Sequence, residues 1–202
     1  MNALIDNLFV RYPQLASCGP DVRKAFDILL SSCRSGGKVL VCGNGGSAAD
    51  AEHIVGELLK KFRKHRAIDP ALAAKLPPEL AARLEGALPA VSLVSMSGIV
   101  TAFANDVAWD AAFAQQTLGL GAPGDVLVAL STSGNSANCV NAALVARAKG
   151  LKVVSLTGAA GGRLAELADA PIRVPETETY KVQELHLPVY HALCAAIEEE
   201  LF

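Results

Sequence analysis

The chain has 202 residues, of which 51% are hydrophobic and 19% charged, and it carries a net charge of −2. That length suits one domain with a sizeable core, and the composition excludes a disordered chain. The near-neutral balance excludes a protein that recruits nucleic acid or an anionic membrane through charge. No basic segment leads into a long apolar stretch at the N-terminus. The longest apolar-rich run, residues 91–104, holds serines and a glycine and is too short for a bilayer span. A soluble, cytoplasmic protein is expected. Its five cysteines (Cys18, Cys33, Cys42, Cys139, Cys194) show no CxxC spacing and read as reduced core residues.

Residues 2–16 and 20–35 read as two helices broken at Gly19-Pro20. A strand over 38–42 follows, then the glycine turn Gly43-Asn44-Gly45-Gly46-Ser47, and a helix over 47–62. The basic run 60–66 reads as a solvated helix end, with Lys61 one turn beyond Glu57 and able to reach a phosphate. Residues 67–89 predict two short helices, started at Asp69-Pro70 and Pro77-Pro78 and stopped at Gly86; a cap over the site and an oligomer contact are both open. From residue 90 the pattern alternates. Strands over 90–95, 126–130, 152–156 and 171–174 are separated by helices over 98–104, 109–118, from 136 to 149 and up to 167, and a last helix spans 180–201. Alternation of this kind predicts a three-layer α/β/α sandwich in a single domain, 1–202, around a five-stranded parallel sheet of flavodoxin-like order.

In that order the loops after the first and third strands meet at the switch point, where ligands bind. The first is the glycine turn, with Asn44, Gly45 and Ser47. The second is Ser131-Thr132-Ser133-Gly134-Asn135-Ser136, whose hydroxyls open a helix. Hydroxyls, free amides and two helix N-termini can hold a phosphate monoester without an arginine. No Lys-Ser/Thr pair follows the glycines and the GxGxxG spacing is missing, so a small phosphorylated metabolite fits better than a nucleotide.

His53 and Glu57 share a helix face at i, i+4, and Gln183 and His191 lie eight residues apart in the last helix. Together they make a two-nitrogen, two-oxygen donor set acceptable to Zn²⁺. Eight helical residues rise about 12 Å, so either a bend at Pro188 closes the gap or different subunits supply the donors. His186, on another face, reads as a packing residue.

CGNGGSAADAEH with Glu57 after it, AFANDVAWD, GDVLVALSTSGNSAN, VVSLTGAAGG and IRVPETETYKVQELHLPVYH together resemble the sugar isomerase (SIS) fold. Within that fold they most resemble the bacterial phosphoheptose isomerases. The resemblance implies a homotetramer with active sites shared between subunits, and one zinc ion held by His53, Glu57, Gln183 and His191. It implies a phosphate held by Ser47, Ser131, Thr132, Ser133 and Ser136, and a sugar site lined by Asn105 and Asp106. In the implied reaction Glu57 shuttles a proton between C1 and C2 through a cis-enediol while His191 moves a proton on the sugar oxygens, converting sedoheptulose 7-phosphate to a heptose 7-phosphate for surface polysaccharide. Three departures bear on the sugar. Lys60-Lys61-Phe62 replaces the family's Gly-Arg-aromatic, which leaves the phosphate contact to Lys61; Tyr180-Lys181 precedes Gln183; and residues 67–89 are an insertion. Isomerisation of another sugar phosphate is the alternative, as is a non-catalytic SIS module that senses a phosphosugar or binds the replication initiator.

Overall fold

The computed structural model describes residues 2–202. Strands β1 (Val39–Cys42), β2 (Ala90–Ser92), β3 (Val126–Leu130), β4 (Lys152–Thr157) and β5 (Ala170–Arg173) form one parallel sheet in the order β2-β1-β3-β4-β5. This is the expected flavodoxin-like order. Every residue of β1 and β3 is buried, which is why these strands read as unbroken apolar runs. Alternate side chains serve different cores. Val39 and Val41 pack with α1 (Ala3–Arg11), α2 (Gly19–Arg34), α3 (Gly46–Leu59) and α10 (Thr179–Leu201), whereas Leu40 and Cys42 face α7 (Ala112–Leu120), α8 (Ala137–Ala148) and α9 (Gly162–Leu167). The three-layer sandwich follows from that division.

Several boundaries differ from the sequence reading. The first helix ends at Arg11 because Pro13 disfavours helical geometry at Tyr12, and a 3₁₀ turn, Pro13–Cys18, leads directly into α2 with Pro20 in its first turn. β2 stops at Ser92. The two short helices of 67–89 are present as α4 (Pro70–Ala73) and α5 (Pro78–Ala81), with no buried residue in either. α6 (Ser97–Asp106) continues through Asn105-Asp106, expected as a break, and a 3₁₀ turn (Trp109–Ala111) precedes α7. α10 runs unbroken through Pro188.

The largest correction concerns residues 60–66. α3 ends at Leu59, and Lys60 is fully extended. Glu198, 1% exposed on α10, accepts the amides of Phe62 (2.8 Å), Arg63 (2.8 Å) and Lys64 (3.2 Å). Arg66, wholly buried, donates from Nε to Glu198 Oε1 (2.8 Å), from Nη1 to the Leu58 carbonyl (2.7 Å) and from Nη2 to the Glu57 carbonyl (2.9 Å). The last carbonyls of α3 thus find a guanidinium instead of another helical turn. Lys61 is consequently not on the face of Glu57. Its amide donates to Glu85 Oε2 (3.0 Å) and its Nζ pairs with Glu85 Oε1 (3.1 Å), which ties it to the 67–89 segment.

Candidate active site

The two loops at the switch point are clasped together. Asn44 and Asn138 exchange reciprocal amide hydrogen bonds, Asn44 Nδ2 to Asn138 Oδ1 at 2.9 Å and Asn138 Nδ2 to Asn44 Oδ1 at 2.8 Å. This joins the turn after β1 to the first turn of α8. No N-cap side chain closes α3 or α8; the amides of Ser47 and Ala48 donate to the Asn44 and Gly45 carbonyls within the turn, and that of Cys139 to Asn138 Oδ1, while the N-terminal ends of both helices flank the paired loops. Ser47 and Ser131 are buried, and Ser131 Oγ lies 2.9 Å from Ser136 Oγ. Thr132 is half-buried and Ser133 exposed. The loop's tightness depends on Gly134 (φ +69°), where a Cβ would stand 1.9 Å from the Gly161 carbonyl oxygen.

Farther along α3, the site's titratable groups converge. His53 Nε2 lies 3.2 Å from Glu57 Oε1 and 3.4 Å from His191 Nε2. The Glu57 side chain is only 12% exposed, and its Oε2 also accepts from Lys60 Nζ at 3.3 Å. Phe62 covers the His191 ring, with centroids 5.3 Å apart. Burial, reinforced by the neighbouring His53 and opposed by Glu57, lowers the basicity of His191. On the far side of His53, Nδ1 sits 3.0 Å from the Tyr190 hydroxyl, which itself donates to Asp50 Oδ1 at 3.1 Å.

Three of the four expected metal donors are therefore gathered, and one is not. The Gln183 carboxamide lies against Gly46: a Cβ there would meet both Nε2 and Oε1 at 2.7 Å. Gly46 is seven residues before His53, on the order of 10 Å along the helix. Nitrogen and oxygen donors around tetrahedral zinc stand about 3.3 Å apart for bonds of about 2.0–2.1 Å. The separations at His53 match that edge, and two imidazoles with a carboxylate are donor types zinc accepts. As they stand, however, the heads lie within hydrogen-bond distance of one another, and among the described residues no group of three or more His, Cys, Asp and Glu side chains is disposed to hold an ion.

Asn105 and Asp106 fall outside the cluster. They lie exposed at the end of α6, where Asn105 Nδ2 donates to Asp106 Oδ1 (2.8 Å), and neither bonds to the loops or to α3. His186 is completely buried, and neither ring nitrogen has a hydrogen-bond partner. Burial pushes its pKa down to about 4. An unfolded histidine titrates near 6.5, so between pH 6.5 and 4 the unfolded chain takes up a proton that the folded chain refuses. Urea unfolding should show stability falling across that window by up to roughly 3 kcal/mol from this group, with His186→Leu flattening the slope.

Sequence reasoning did not find Asp50, Tyr190, Asn138, Arg66 or Glu198. Asp50 carried a signal, since it stands three residues before His53 and so shares its helix face. Tyr190, as the neighbour of His191, points a different way from the helix and reads as core. Arg66 and Glu198 are 132 positions apart, beyond any local pattern.

Comparison with known proteins bears on what this geometry serves. The SIS domain family model matches residues 16–87 and 78–158. A phosphoheptose isomerase of Rhodospirillum rubrum is 44% identical over 188 residues, covering 93% of this chain and 90% of that protein. The chain belongs to the phosphoheptose isomerase family of SIS domains. A family member from Thiobacillus denitrificans is 42% identical over 90% of this chain and 84% of its own length. Among solved structures of the family, that of Francisella tularensis superposes with a TM-score of 0.78 at 31% identity (94% of this chain, 91% of that one). The enzyme of Neisseria gonorrhoeae gives 0.74 at 34% identity (93% and 92%).

Proposed function

We propose that the chain is an aldose–ketose isomerase that converts sedoheptulose 7-phosphate to D-glycero-D-manno-heptose 7-phosphate. The observation that carries this reading is the placement of His53 and Glu57 on the helix whose N-terminus opens the mouth between the loops, with His191 of α10 brought beside them. A sugar gripped by its phosphate there runs along α3 with its carbonyl end toward Glu57. Ser47, Ser131, Thr132, Ser133 and Ser136, with the amides around Asn44 and Gly45, hold the phosphate oxygens. Glu57 takes the proton from C1 or C2 and returns it to the other carbon, and the cis-enediol is the species between. His191 moves the proton between the two sugar oxygens, a role suited to an imidazole.

His53, Glu57 and His191 would hold a zinc ion, with Gln183 as the fourth donor of the proposed set. Bound there, the ion supplies polarisation of the sugar oxygens. We take the working assembly to be a homotetramer. In support, α6 has no buried residue although Ile99, Val107 and Trp109 on and beside it are apolar and 39%, 67% and 52% exposed. Asn105 and Asp106 also stand on that unpartnered segment, so a neighbouring subunit's site is where they would meet a sugar. Five unpaired cysteines suit the reducing cytoplasm, and among the described residues no helix is long and apolar enough to cross a membrane.

The pairing of Lys61 with Glu85 favours one second reading, an isomerase of the same chemistry for another sugar phosphate. It removes the cation that was expected on the phosphate and installs the 67–89 segment beside the site. Turnover of sedoheptulose 7-phosphate and of a panel of ketose phosphates, with and without a chelator, tests both. The expected result is turnover fastest on the heptulose, reduced more than about tenfold by chelation and restored by zinc. Absence of turnover on every phosphosugar by the zinc-loaded protein would refute an isomerase and leave a sensor.

A further inference from the structure

Tyr190 occupies a position the isomerase reading does not use. It is 2% exposed, and its ring meets the rings of His53 and His191 edge-on, with centroids 5.5 and 5.0 Å away. Its hydroxyl stands between Asp50 Oδ1 at 3.1 Å and His53 Nδ1 at 3.0 Å. A phenol has one proton to give. The carboxylate of Asp50 accepts it, and the other carboxylate oxygen is buried without a partner, so the bonding of Asp50 is committed to Tyr190. The phenol oxygen is then left to accept, and among the described residues the one donor within reach is Nδ1–H of His53. We propose that Tyr190 is a positioning residue which, anchored on Asp50, fixes His53 as the Nδ1–H tautomer and turns its Nε2 lone pair toward Glu57 and His191.

This rests on the reading of His53 as a donor to the isomerase's metal, and it gives that reading a physical cause. With the proton on Nδ1, the Nε2 lone pair faces a carboxylate oxygen at 3.2 Å. The relay from Asp50 thus leaves the Nε2 lone pair available to a cation; without one, Lys60 Nζ at 3.3 Å from Glu57 Oε2 and His191 Nε2 at 3.4 Å from His53 Nε2 are the groups that balance the pair. A tyrosine that merely filled the core would leave the imidazole free to place its proton on Nε2 and donate it to Glu57. That arrangement satisfies the pair and weakens it as a ligand set.

The test reads the proton directly. Long-range ¹H–¹⁵N correlation spectra of metal-free, substrate-free protein labelled at histidine should show His53 protonated at Nδ1 alone. In Tyr190→Phe, which keeps the ring, the spectrum should move to the Nε2–H form or a mixture. Zinc affinity, measured by competition with a chromogenic chelator, should fall about tenfold to a hundredfold. kcat should fall while KM for the sugar phosphate holds. Asp50→Asn, should Tyr190→Phe fail to fold, retains an acceptor with a weaker pull and should give an intermediate mixture. An Nε2–H tautomer or an imidazolium in the wild type would overturn the proposal, and so would a Tyr190→Phe protein with unchanged tautomer and zinc affinity. The tautomer is read without turnover, so this proposal can fail while the isomerase stands, and the reverse.

Discussion

Replacing Glu57 by glutamine should lower kcat on the order of a thousandfold while leaving the fold and KM nearly unchanged. The amide has the shape of the carboxylate and keeps an acceptor for Lys60 Nζ, which bonds Glu57 Oε2 at 3.3 Å. What it loses is the ability to take a proton from carbon. Substrate affinity should survive because the grip on the phosphate is made by the loops that begin α3 and α8, more than two turns away from position 57. A parallel fall in kcat and kcat/KM is the signature of an interaction made only in the transition state. Thermal melting beside the kinetics checks that the variant folds. Turnover of Glu57→Gln within about tenfold of the wild type would remove Glu57 from the proton-transfer role.

Replacing Arg66 by methionine should cost about 3–5 kcal/mol and lower the melting temperature by roughly 10 °C or more. The guanidinium is completely buried, and its loss strands the Glu198 carboxylate and two α3 carbonyls away from water. Arg66→Met/Glu198→Leu should recover only part of the loss, because the amides of Phe62, Arg63 and Lys64 then have no acceptor. The pair also sets an acid limit. Burial raises the Glu198 carboxyl, but the amides of Phe62 and Arg63 and the Arg66 guanidinium outweigh it and hold the pKa below the usual value. A depressed carboxylate stabilises the fold fully above its unfolded pKa of about 4.3, and that contribution is lost as pH falls through the lower folded value. Denaturant melts from pH 7 to pH 3 should therefore show a steep loss at the acid end in the wild type and a shallower one in the double variant.

The parallel sheet was legible because β1, β3 and β4 have both faces buried, which leaves no polar alternation to confuse the reading. The anion mouth was legible for a related reason: strand order alone makes the loops after β1 and β3 neighbours, and Asn44 and Asn138 close that contact. His53 with Glu57 was a pattern within one helix, and a pattern of that kind survives folding. The expected helix over 47–62 failed at its end because lysine and arginine favour helix locally, while Glu198, more than 130 residues later, captures the amides of 62–64. The placement of Lys61 one helical turn beyond Glu57 failed with it. Gln183 lies beside Gly46, away from the other three donors in one protomer, so its place in the proposed set rests on the alternative the helix spacing left open, donors supplied by different subunits.

The pairing of the cations near the two ends of the site has a kinetic meaning. Lys60 is matched by Glu57, Lys61 by Glu85 and Arg163 by Glu166, and neither loop carries a lysine or arginine. At the loops themselves a dianion from solution finds no lysine or arginine, and the grip there comes from dipoles whose reach is short. The loops should therefore add little to the rate of encounter or to its salt dependence, and they release the phosphorylated product without an ion pair to break.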